Sequence, residues 1–593
     1  TLRHSCSHIM AQAVKQLWPD VKLGIGPSIE DGFYYDFDTS AVLSAGKKEA
    51  FTEADLAQIE EKMKEIIAQG APFVKEDMSK EKARRLFAKL KEDYKIELID
   101  ALTDEQVSTY KTGDGFVDLC RGPHVDSTNQ IKAFKLLSVA GAYWHGIETN
   151  PMLQRIYGTC FITQEELDEY INNLEEAKKR DHRKLGPQLE IFNLYPEEAG
   201  AGLVFYHPKG AVLRTIIEDY LKKAHLTRGY KQVITPHIME AGLWRTSGHY
   251  EYYLSNMYTF RIPNDKQDEK SDGSSANSPG SEFVLKPMNC PGHILIYKSK
   301  VRSYRELPLR FFELGTVYRY EKAGVLHGLM RARGFTQDDA HIFSTPEQLK
   351  PEIMGIIDFV LATMSDFGFV DLAIELSTRP EKSIGTDSDW QEATAALEDA
   401  LKAKDLDYET NPQEGAFYGP KIDIKIKDAL KRKWQCATIQ CDFALPQRFD
   451  LEFIDSQGSA LQPIMLHRVI LGSIERFIGV LIEHYAGSLP LWLSPTQVTI
   501  IPINATLQDY TARVTASLEN HSIRVTSDDR NLTLEKRIRQ ALMEKIPYLL
   551  IIGGREAQSQ TVAVRQRGRG DIGAMSLDEF IGRLKQEESS KAK

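Results

Sequence analysis

Two stretches decide the fold, RFFELGTVYRYE at residues 310–321 and RGFTQDDAHIF at residues 333–343. In the first, strand-like apolar residues alternate with Arg319 and Glu321; a loop rich in Gly and Arg then leads to Phe335. A guanidinium on a rigid strand can hold a phosphate with two hydrogen bonds, and an aromatic ring can stack on a base. A single arginine on a strand is more often a surface residue, so the pattern suggests a nucleotide site without establishing one.

A third stretch, LHRVILGSIERFIGVLIEHY at residues 466–485, predicts an amphipathic helix with Arg476 inside an otherwise apolar segment. A buried arginine is costly without an anion beside it. We therefore expect a carboxylate or a phosphate next to Arg476.

The chain of 593 residues is 42% hydrophobic and 27% charged, with a net charge of −10. This length predicts about three to four domains, and no apolar run is long enough to span a membrane. The six scattered cysteines are typical of a reducing compartment, so we expect a cytoplasmic protein. The negative charge argues against indiscriminate nucleic-acid binding but allows a local basic groove.

The amino-terminal part alternates short helices and strands. Helices are predicted at residues 53–70 and 80–94, and a charged helix at 164–186 ends at Gly186-Pro187, which is typical of a linker. We therefore place domain boundaries at 1–163, 164–186, 187–493 and 494–593.

The central part begins with a helix at residues 211–230, whose apolar stripe contains Leu213, Ile216, Ile217, Tyr220 and Leu221. The strand predicted at 231–238 contains Pro236, which favours an edge position. Residues 257–262 and 282–288 look like paired strands, and the Ser- and Asp-rich segment 264–281 between them is expected to be a disordered hairpin tip.

The last hundred residues alternate strands and helices, which predicts a small α/β domain with a largely parallel sheet. The same region contains a cluster of basic residues, and such a cluster is usually a solvated face. Its members are Arg530, Lys536, Arg537, Arg539, Arg565, Arg567 and Arg569.

These segments together resemble the class II aminoacyl-tRNA synthetases. Residues 310–343 are similar to motif 2, residues 471–485 to motif 3, and the segment around Pro236 to motif 1. Further strings point to the bacterial-type threonyl-tRNA synthetases: KPMNCPGH (286–293), WQCATIQCDFALPQRF (434–449), RHSCSHIMAQAV (3–14) and DLCRGPHV (118–125). The resemblance covers essentially the whole chain, except for the 264–281 segment. The family usually carries a small ubiquitin-like module before the position of residue 3, and that module is missing from this sequence.

The resemblance implies an α/β and α+β multidomain protein with an antiparallel-sheet class II catalytic core, an α+β editing domain and an α/β anticodon-binding domain. It implies ATP-dependent ligation of L-threonine to tRNA(Thr) through threonyl-adenylate. Arg319 would hold the α-phosphate of ATP and Arg476 the γ-phosphate. Positioning and charge neutralisation dominate such a transfer, so Mg²⁺ is expected with ATP. Glu321, Arg331 and Phe335 complete the implied ATP site.

The resemblance also implies one catalytic zinc per subunit, held by Cys290, His341 and His467. Cysteine with two histidines is a good zinc set, and three protein ligands leave a vacancy for substrate. An apolar pocket separates threonine from valine by no more than about 100-fold, whereas a zinc ion ligated by the β-hydroxyl rejects valine. The implied substrate-binding residues are Met288, Gln337, Asp339, Tyr418, Lys421, Gln435 and Gln440.

Serine keeps the hydroxyl, and one missing methyl is worth only about 1 kcal/mol, so a second site must remove misactivated serine. In the family that editing site lies in the amino-terminal domain, and the resemblance places His4, His8, Lys95, Asp118, Cys120 and His124 there. His4 and His8 stack on one helix face. A zinc clip is the alternative for these ligands; we expect a metal-free site that hydrolyses seryl-tRNA.

The remaining implied roles concern tRNA and the partner subunit. His249 would assist the 2′-hydroxyl of the terminal adenosine in the transfer step, although a surface histidine is the plainer interpretation. Asn531, Glu556 and Arg565 match positions that recognise anticodon bases. The motif 1 resemblance implies a homodimer. Two rival functions remain open, a non-catalytic tRNA- or nucleotide-binding paralogue and a pure hydrolase.

Overall fold

The computed structural model describes residues 1–40, 50–113, 115–262 and 281–591, which form two compact units, Thr1–Glu175 and Glu176–Lys593. The hairpin tip predicted at 264–281 lies outside the described residues, apart from Ser281. Both units mix helices with sheets, as expected for an α+β and α/β multidomain chain.

The first unit contains two antiparallel sheets, with strand orders β1-β3-β8-β7, where β2 also pairs with β3, and β4-β5-β6. Its helices within the described residues are Leu2–Leu17, Glu53–Ala68, Lys80–Lys89 and Asp93–Ala101. The strands are β1 (Lys22–Leu23), β2 (Ser28–Ile29), β3 (Gly32–Asp38), β4 (Phe73–Ser79), β5 (Gln106–Thr112), β6 (Phe116–Leu119), β7 (Ala133–Tyr143) and β8 (Met152–Phe161).

The core of this unit explains the buried first helix. Ile9, Met10 and Val14 pack with Phe33 and Ile59, so the helix Leu2–Leu17 packs against both the sheet and the helix Glu53–Ala68. Apolar packing therefore fixes the orientation of the polar side chains on the same helix.

The second unit is built on an eight-stranded sheet of order β11-β16-β17-β24-β21-β20-β18-β19, antiparallel except at its two edge pairs, β11 with β16 and β18 with β19. Its strands up to the carboxyl-terminal sheet are β9 (Phe192–Leu194), β10 (Val204–Tyr206), β11 (Lys231–Gln232), β12 (Ile238–Glu240), β13 (Tyr258–Ile262), β14 (Ser281–Leu285), β15 (Arg302–Ser303), β16 (Leu309–Tyr318), β17 (Gly334–Ser344), β18 (Leu372–Ser377), β19 (Glu409–Asn411), β20 (Lys421–Lys427), β21 (Lys433–Asp442), β22 (Phe453–Ile454), β23 (Ala460–Leu461) and β24 (Ile464–Ser473).

Helices cover one face of this sheet, where Ile353, Leu397 and Phe477 join residues of the central strands in one large apolar core. The helices before the carboxyl-terminal sheet are Gln164–Arg180, which contains residues of both units, His182–Gln188, Pro208–Leu226, Ala241–Thr246, His249–Tyr253, Cys290–Lys298, Pro346–Asp366, Asp387–Ala403, Ala444–Arg448 and Ile474–His484.

The carboxyl-terminal sheet has the order β26-β25-β27-β28-β29, parallel in its first three strands and antiparallel in the rest. The α/β prediction for this region is confirmed, with a sheet that is only half parallel. Its elements are β25 (Val498–Pro502), β26 (Val525–Ser527), β27 (Tyr548–Ile552), β28 (Thr561–Gln566) and β29 (Gly570–Ser576), with helices Gln508–Asn520, Leu534–Met543, Gly554–Ser559 and Leu577–Ser590.

Several predicted elements are confirmed. The stripe on the helix Pro208–Leu226 is buried at Leu213, Ile217 and Leu221. β13 pairs with β14 across the segment 264–281. The strand before Pro236 is an edge strand, shortened to β11.

Three expectations are wrong. Residues 466–485 are not one helix, because residues up to Ser473 form β24; this strand is buried on both faces, so its continuous apolar run carries no period of two. The helix predicted at 80–94 ends at Lys89, and a separate helix begins at Asp93. Gly186-Pro187 does not end the linker helix but lies in the helix His182–Gln188, where Gly186 leaves room for the ring of Phe192.

Candidate active sites

The antiparallel register of four neighbouring strands assembles the first site. His341 of β17 lies opposite His467 of β24, which lies opposite Gln440 of β21, and Gln440 pairs with Lys421 of β20. Directly paired residues point to the same face of a sheet. The register therefore aligns four polar side chains in a row on the face of the sheet opposite the helical core.

Cys290 joins this row from outside the sheet, as the first residue of the helix Cys290–Lys298. One ligand atom from each of Cys290, His341 and His467 lies within 4.8 Å of the other two, and all three residues are buried. Burial raises the pKa of the Cys290 thiol well above its usual value, so its thiolate requires a cation nearby.

Each histidine of the set has one ring nitrogen occupied by a partner outside the set. His467 Nε2 lies 2.7 Å from Asp442 Oδ2, and His341 Nδ1 lies 2.8 Å from His293 Nδ1. Such outer partners orient metal-ligating imidazoles and leave the second nitrogen free. Donor chemistry, spacing and outer hydrogen bonds all fit a zinc ion.

Gln337, Asp339 and His341 alternate along β17 and share one face. Asn289 Nδ2 donates a hydrogen bond to Asp339 Oδ2 at 3.0 Å, and burial raises the pKa of Asp339. Asp339 is thus a buried carboxylate that needs a cationic partner.

The other predicted substrate residues border the same row. Tyr418 donates its hydroxyl proton to Gln440 Oε1 at 2.6 Å. Asp423 holds both Gln435, through Nε2 at 2.7 Å, and Lys421, through Nζ at 2.7 Å. Met288 packs against the cluster that includes Cys290. Gln435 is the most exposed member, and its side chain hydrogen-bonds Asp423 and Thr438 rather than a residue of the row itself.

Three of the predicted ATP residues are arginines, Arg319, Arg331 and Arg476, and we call them the guanidinium group. The Arg319 guanidinium lies 5.3 Å from the centre of the Phe335 ring, and the Arg319 and Arg476 Nε atoms donate only to backbone carbonyls, of Pro287 and Met330. Burial and the nearby Arg331 and Arg319 lower the pKa of Arg476. Within the described part of the chain neither Arg319 nor Arg476 has an ion-pair partner, which fits a site for a polyanion.

The remaining arginine of this group is already paired. Arg331 Nε donates to Glu321 Oε2 at 3.0 Å, so neither side chain is free for a ligand in this arrangement. The expected anion beside Arg476 is therefore not a carboxylate of the described chain.

His249 is buried rather than a surface residue. Its Nδ1 lies 2.8 Å from Ser247 Oγ, and its Nε2 has no partner among the described residues. Burial, together with the charges of His467 and Arg319, lowers its pKa to about 3, so the imidazole is neutral at pH 7. A neutral imidazole with a free nitrogen can accept a proton.

The second site lies in the first unit, where the four residues His4, His8, Cys120 and His124 converge, each offering a ligand atom within 4.8 Å of the others. Cys120 Sγ lies 3.3 Å from His4 Nε2 and 3.2 Å from His124 Nε2. Burial lowers the pKa of His8 to about 4 and raises that of Cys120 to about 11. The cluster is therefore uncharged at neutral pH.

Lys95 and Asp118, also predicted here, form a buried ion pair of 2.5 Å beside this cluster. Although burial opposes ionisation, the Lys95 ammonium lowers the pKa of Asp118. Tyr35 was missed by the sequence analysis; its hydroxyl donates to Asp118 Oδ2 at 2.6 Å and lies 2.9 Å from Lys95 Nζ. Tyr35 lies on β3 and Asp118 on β6, so no local sequence pattern links the two residues.

A third group with ligand-like spacing, Asp181, His182 and Glu483, is structural. His182 Nδ1 lies 2.7 Å from Glu483 Oε1, and His182 Nε2 accepts the backbone N–H of Leu329 at 3.0 Å. Since both ring nitrogens are occupied, this histidine has no atom left for a metal. It ties the loop before β17 to the helix Ile474–His484.

The predicted anticodon residues lie on three different elements of the carboxyl-terminal region. Arg565 lies on β28, 3.9 Å from Asp571, and Glu556 caps its own helix by accepting the Gly553 N–H at 2.9 Å. Asn531 lies in the loop between β26 and the next helix.

The arginine cluster of this region is only partly a solvated face. Arg567 donates to the carbonyls of Ser488 and Leu489, and the buried Arg537 donates to Asp528 O. These two side chains are hydrogen-bonded to backbone carbonyls, so they are not available to a ligand.

Three family models match the chain. The "tRNA synthetase class II core domain (G, H, P, S and T)" matches residues 274–485, the "Anticodon binding domain" residues 497–587, and the "Threonyl and Alanyl tRNA synthetase second additional domain" residues 107–157. No helix in the described residues is long and apolar enough to cross a membrane.

Curated relatives match over nearly the whole chain. The threonine–tRNA ligase of Oleidesulfovibrio alaskensis is 52% identical over 98% of this chain and 86% of its own length, and that of Caldanaerobacter subterraneus is 51% identical over 99% and 87%. A crystal structure described as the RNA binding domain of threonyl-tRNA synthetase from Cryptosporidium parvum is 39% identical, with a TM-score of 0.64 over 69% of this chain and 98% of that one.

The buried ion pair generates a stability prediction. Replacing Lys95→Met leaves Asp118 as an uncompensated buried charge, which should lower the free energy of unfolding by about 3–5 kcal/mol. The double variant Lys95→Met with Asp118→Asn removes that charge and should recover much of the loss. Denaturant-induced unfolding of the full chain measures both.

The matched control is Lys82→Met, because Lys82 forms an exposed pair with Glu76 at 2.8 Å. Its loss should cost less than about 1 kcal/mol. Equal effects of the two single substitutions would show that the Lys95–Asp118 pair carries no special weight.

Proposed function

The chain belongs to the threonine–tRNA ligases, and we propose that the pocket formed by Cys290, His341 and His467 selects and activates threonine. Members of this family join threonine to tRNA at the expense of ATP, and the class II core together with the second additional domain supports aminoacylation with editing. One observation carries the assignment of the pocket: three buried ligand atoms converge while each imidazole has its other nitrogen bound elsewhere.

In the proposed pocket Cys290, His341 and His467 would hold a zinc ion, and that ion would supply a Lewis acid that distinguishes the β-hydroxyl of threonine from the methyl group of valine. The chain's own residues do the rest. Asp339, a buried carboxylate on the same strand face as His341, suits the ammonium side of the substrate. Tyr418 and Gln440 close the pocket through their mutual hydrogen bond.

ATP is proposed to lie along the guanidinium group, with the adenine stacked on Phe335. The threonine carboxylate attacks the α-phosphorus, and pyrophosphate leaves with Mg²⁺. Arg319 is proposed to neutralise the α-phosphate and Arg476 the γ-phosphate; the lack of an anionic partner for either among the described residues supports this. Arg331 reaches a phosphate only by leaving Glu321.

Editing is proposed at the cluster of His4, His8, Cys120 and His124, without a metal. The thiol and two imidazoles already contact one another, so a water and the seryl ester can be oriented by hydrogen bonds alone. Lys95, Asp118 and Tyr35 form a fixed charge network beside them. A zinc clip is the alternative that the ligand spacing allows.

The carboxyl-terminal region is proposed to recognise the anticodon through Asn531, Glu556 and Arg565, because the anticodon-binding model spans them. By segment, we propose that residues 1–163 edit, 164–186 link, 187–493 catalyse and 494–593 bind the anticodon.

A homodimer is proposed through the segment around Pro236. Two apolar side chains of this segment are exposed, Ile234, which is 82% accessible, and Ile238, which is 47% accessible. Exposed apolar residues that neighbour one another mark interaction surfaces. A cytoplasmic location is proposed because all six cysteines are free.

The proposed pocket predicts a pattern of amino-acid use. Threonine and serine should both support ATP–pyrophosphate exchange, and valine should fail, because only valine lacks the hydroxyl. Exchange measured with the three amino acids side by side tests this. Exchange with valine close to that with threonine would contradict the pocket, and no exchange with any of them would favour a binding paralogue or a pure hydrolase.

The two ligand clusters predict different metal contents. Elemental analysis should find one zinc per chain in the parent protein, none in Cys290→Ser and one in Cys120→Ser. Two zinc ions per chain, or loss of zinc in Cys120→Ser, would contradict a metal-free editing cluster.

His249 is proposed to take the proton of the 2′-hydroxyl of the terminal adenosine. His249→Ala should slow transfer of threonine to tRNA by about 100-fold, a typical contribution of general base catalysis, and leave threonine-dependent exchange unchanged. Single-turnover transfer and exchange are measured separately. Equal losses in both reactions would reject the assignment.

A further inference from the structure

A buried histidine outside the ligand set, His293, lies directly behind one of its members. It follows Cys290 by three residues on the same helix and is fully buried. Its Nδ1 lies 2.8 Å from His341 Nδ1, and the two rings meet edge to face with centres 4.7 Å apart. One hydrogen lies between these two nitrogens. The nitrogen that carries it determines the tautomer of His341.

Glu313 determines the direction of that hydrogen bond. Its carboxylate receives the backbone N–H and the hydroxyl proton of Thr235, each at 2.9 Å, and the Lys286 ammonium at 3.2 Å. With these donors around it, Glu313 acts as an acceptor. His293 Nε2, 3.2 Å from Glu313 Oε2, must therefore donate.

A neutral imidazole that donates through Nε2 accepts at Nδ1. His341 then donates its Nδ1 hydrogen to His293, which leaves Nε2 as the bare nitrogen of His341. That nitrogen is the only atom through which His341 can ligate a metal.

We infer that His293 is a positioning residue, which holds His341 in the tautomer and ring orientation that zinc binding requires. The inference rests on the proposed zinc site. Glu313, Lys286 and Thr235 anchor His293, so the network reaches from the segment before Pro236 to the ligand itself. Asp442 does the same for His467, through Nε2.

The test compares zinc affinity in full-length variants by competition with a chromophoric chelator. His293→Phe removes the acceptor and should weaken zinc binding about 10–100-fold, the usual effect of losing an outer partner of a ligand. His293→Gln keeps an oxygen acceptor and an N–H donor, so it should bind zinc more tightly than His293→Phe.

His225→Phe is the matched control. His225 is equally buried in the same unit, stacks on Phe312 and hydrogen-bonds Leu221 O, and within the described residues it has no hydrogen bond or ring contact with the ligand set. Its zinc affinity should equal that of the parent. Cobalt-loaded protein gives a second readout, because the visible spectrum should change in His293→Phe and not in His225→Phe.

Zinc binding by His293→Phe as tight as in the parent would overturn the inference while leaving the zinc site intact. An equal loss in His225→Phe would overturn it as well, because the effect would then be general to the core. A parent protein that binds no zinc would overturn both the inference and the proposed pocket.

Discussion

The register between β17, β24 and β21 is the constraint on which the active centre depends. It places His341 opposite His467 and His467 opposite Gln440. Between these polar positions, Ile342, Leu466 and Ile439 point to the other face and are fully buried under the helices. A slip by one residue would turn the histidines into the core and the apolar side chains into the pocket. Burial of these apolar side chains therefore keeps the two histidines and Gln440 on the pocket face of the sheet.

The two histidine–cysteine clusters differ in how their hydrogen bonds are arranged. His341 and His467 each have one ring nitrogen bonded to a partner outside the set, and the ligand atoms of the set lie within 4.8 Å of one another. In the amino-terminal cluster the thiol bonds to two imidazoles, and His124 Nδ1 also lies 3.0 Å from Ser5 Oγ. The first arrangement suits a cation, whereas in the second Cys120, His4 and His124 already contact one another and only His8 Nδ1 lacks a hydrogen-bond partner among the described residues of the cluster.

The sequence alone predicted the elements that have a clear local signal. Amphipathic helices such as Pro208–Leu226 follow from their apolar period, and the ligand residues follow from family strings such as KPMNCPGH. β24 was mistaken for helix because a strand buried on both faces has no alternation to detect. Tyr35 and the partners of His341 were missed because they are contacts between residues far apart in sequence. Such contacts depend on the register of the sheet, which no single segment encodes.

The most direct measurement is anomalous diffraction at the zinc edge from crystals of the active protein with bound threonine. The account predicts one peak among Cys290 Sγ and the free nitrogens of His341 and His467, with the amino nitrogen and β-hydroxyl of threonine beside it. A pocket without metal in an active crystal, or a threonine hydroxyl far from the peak, would contradict it.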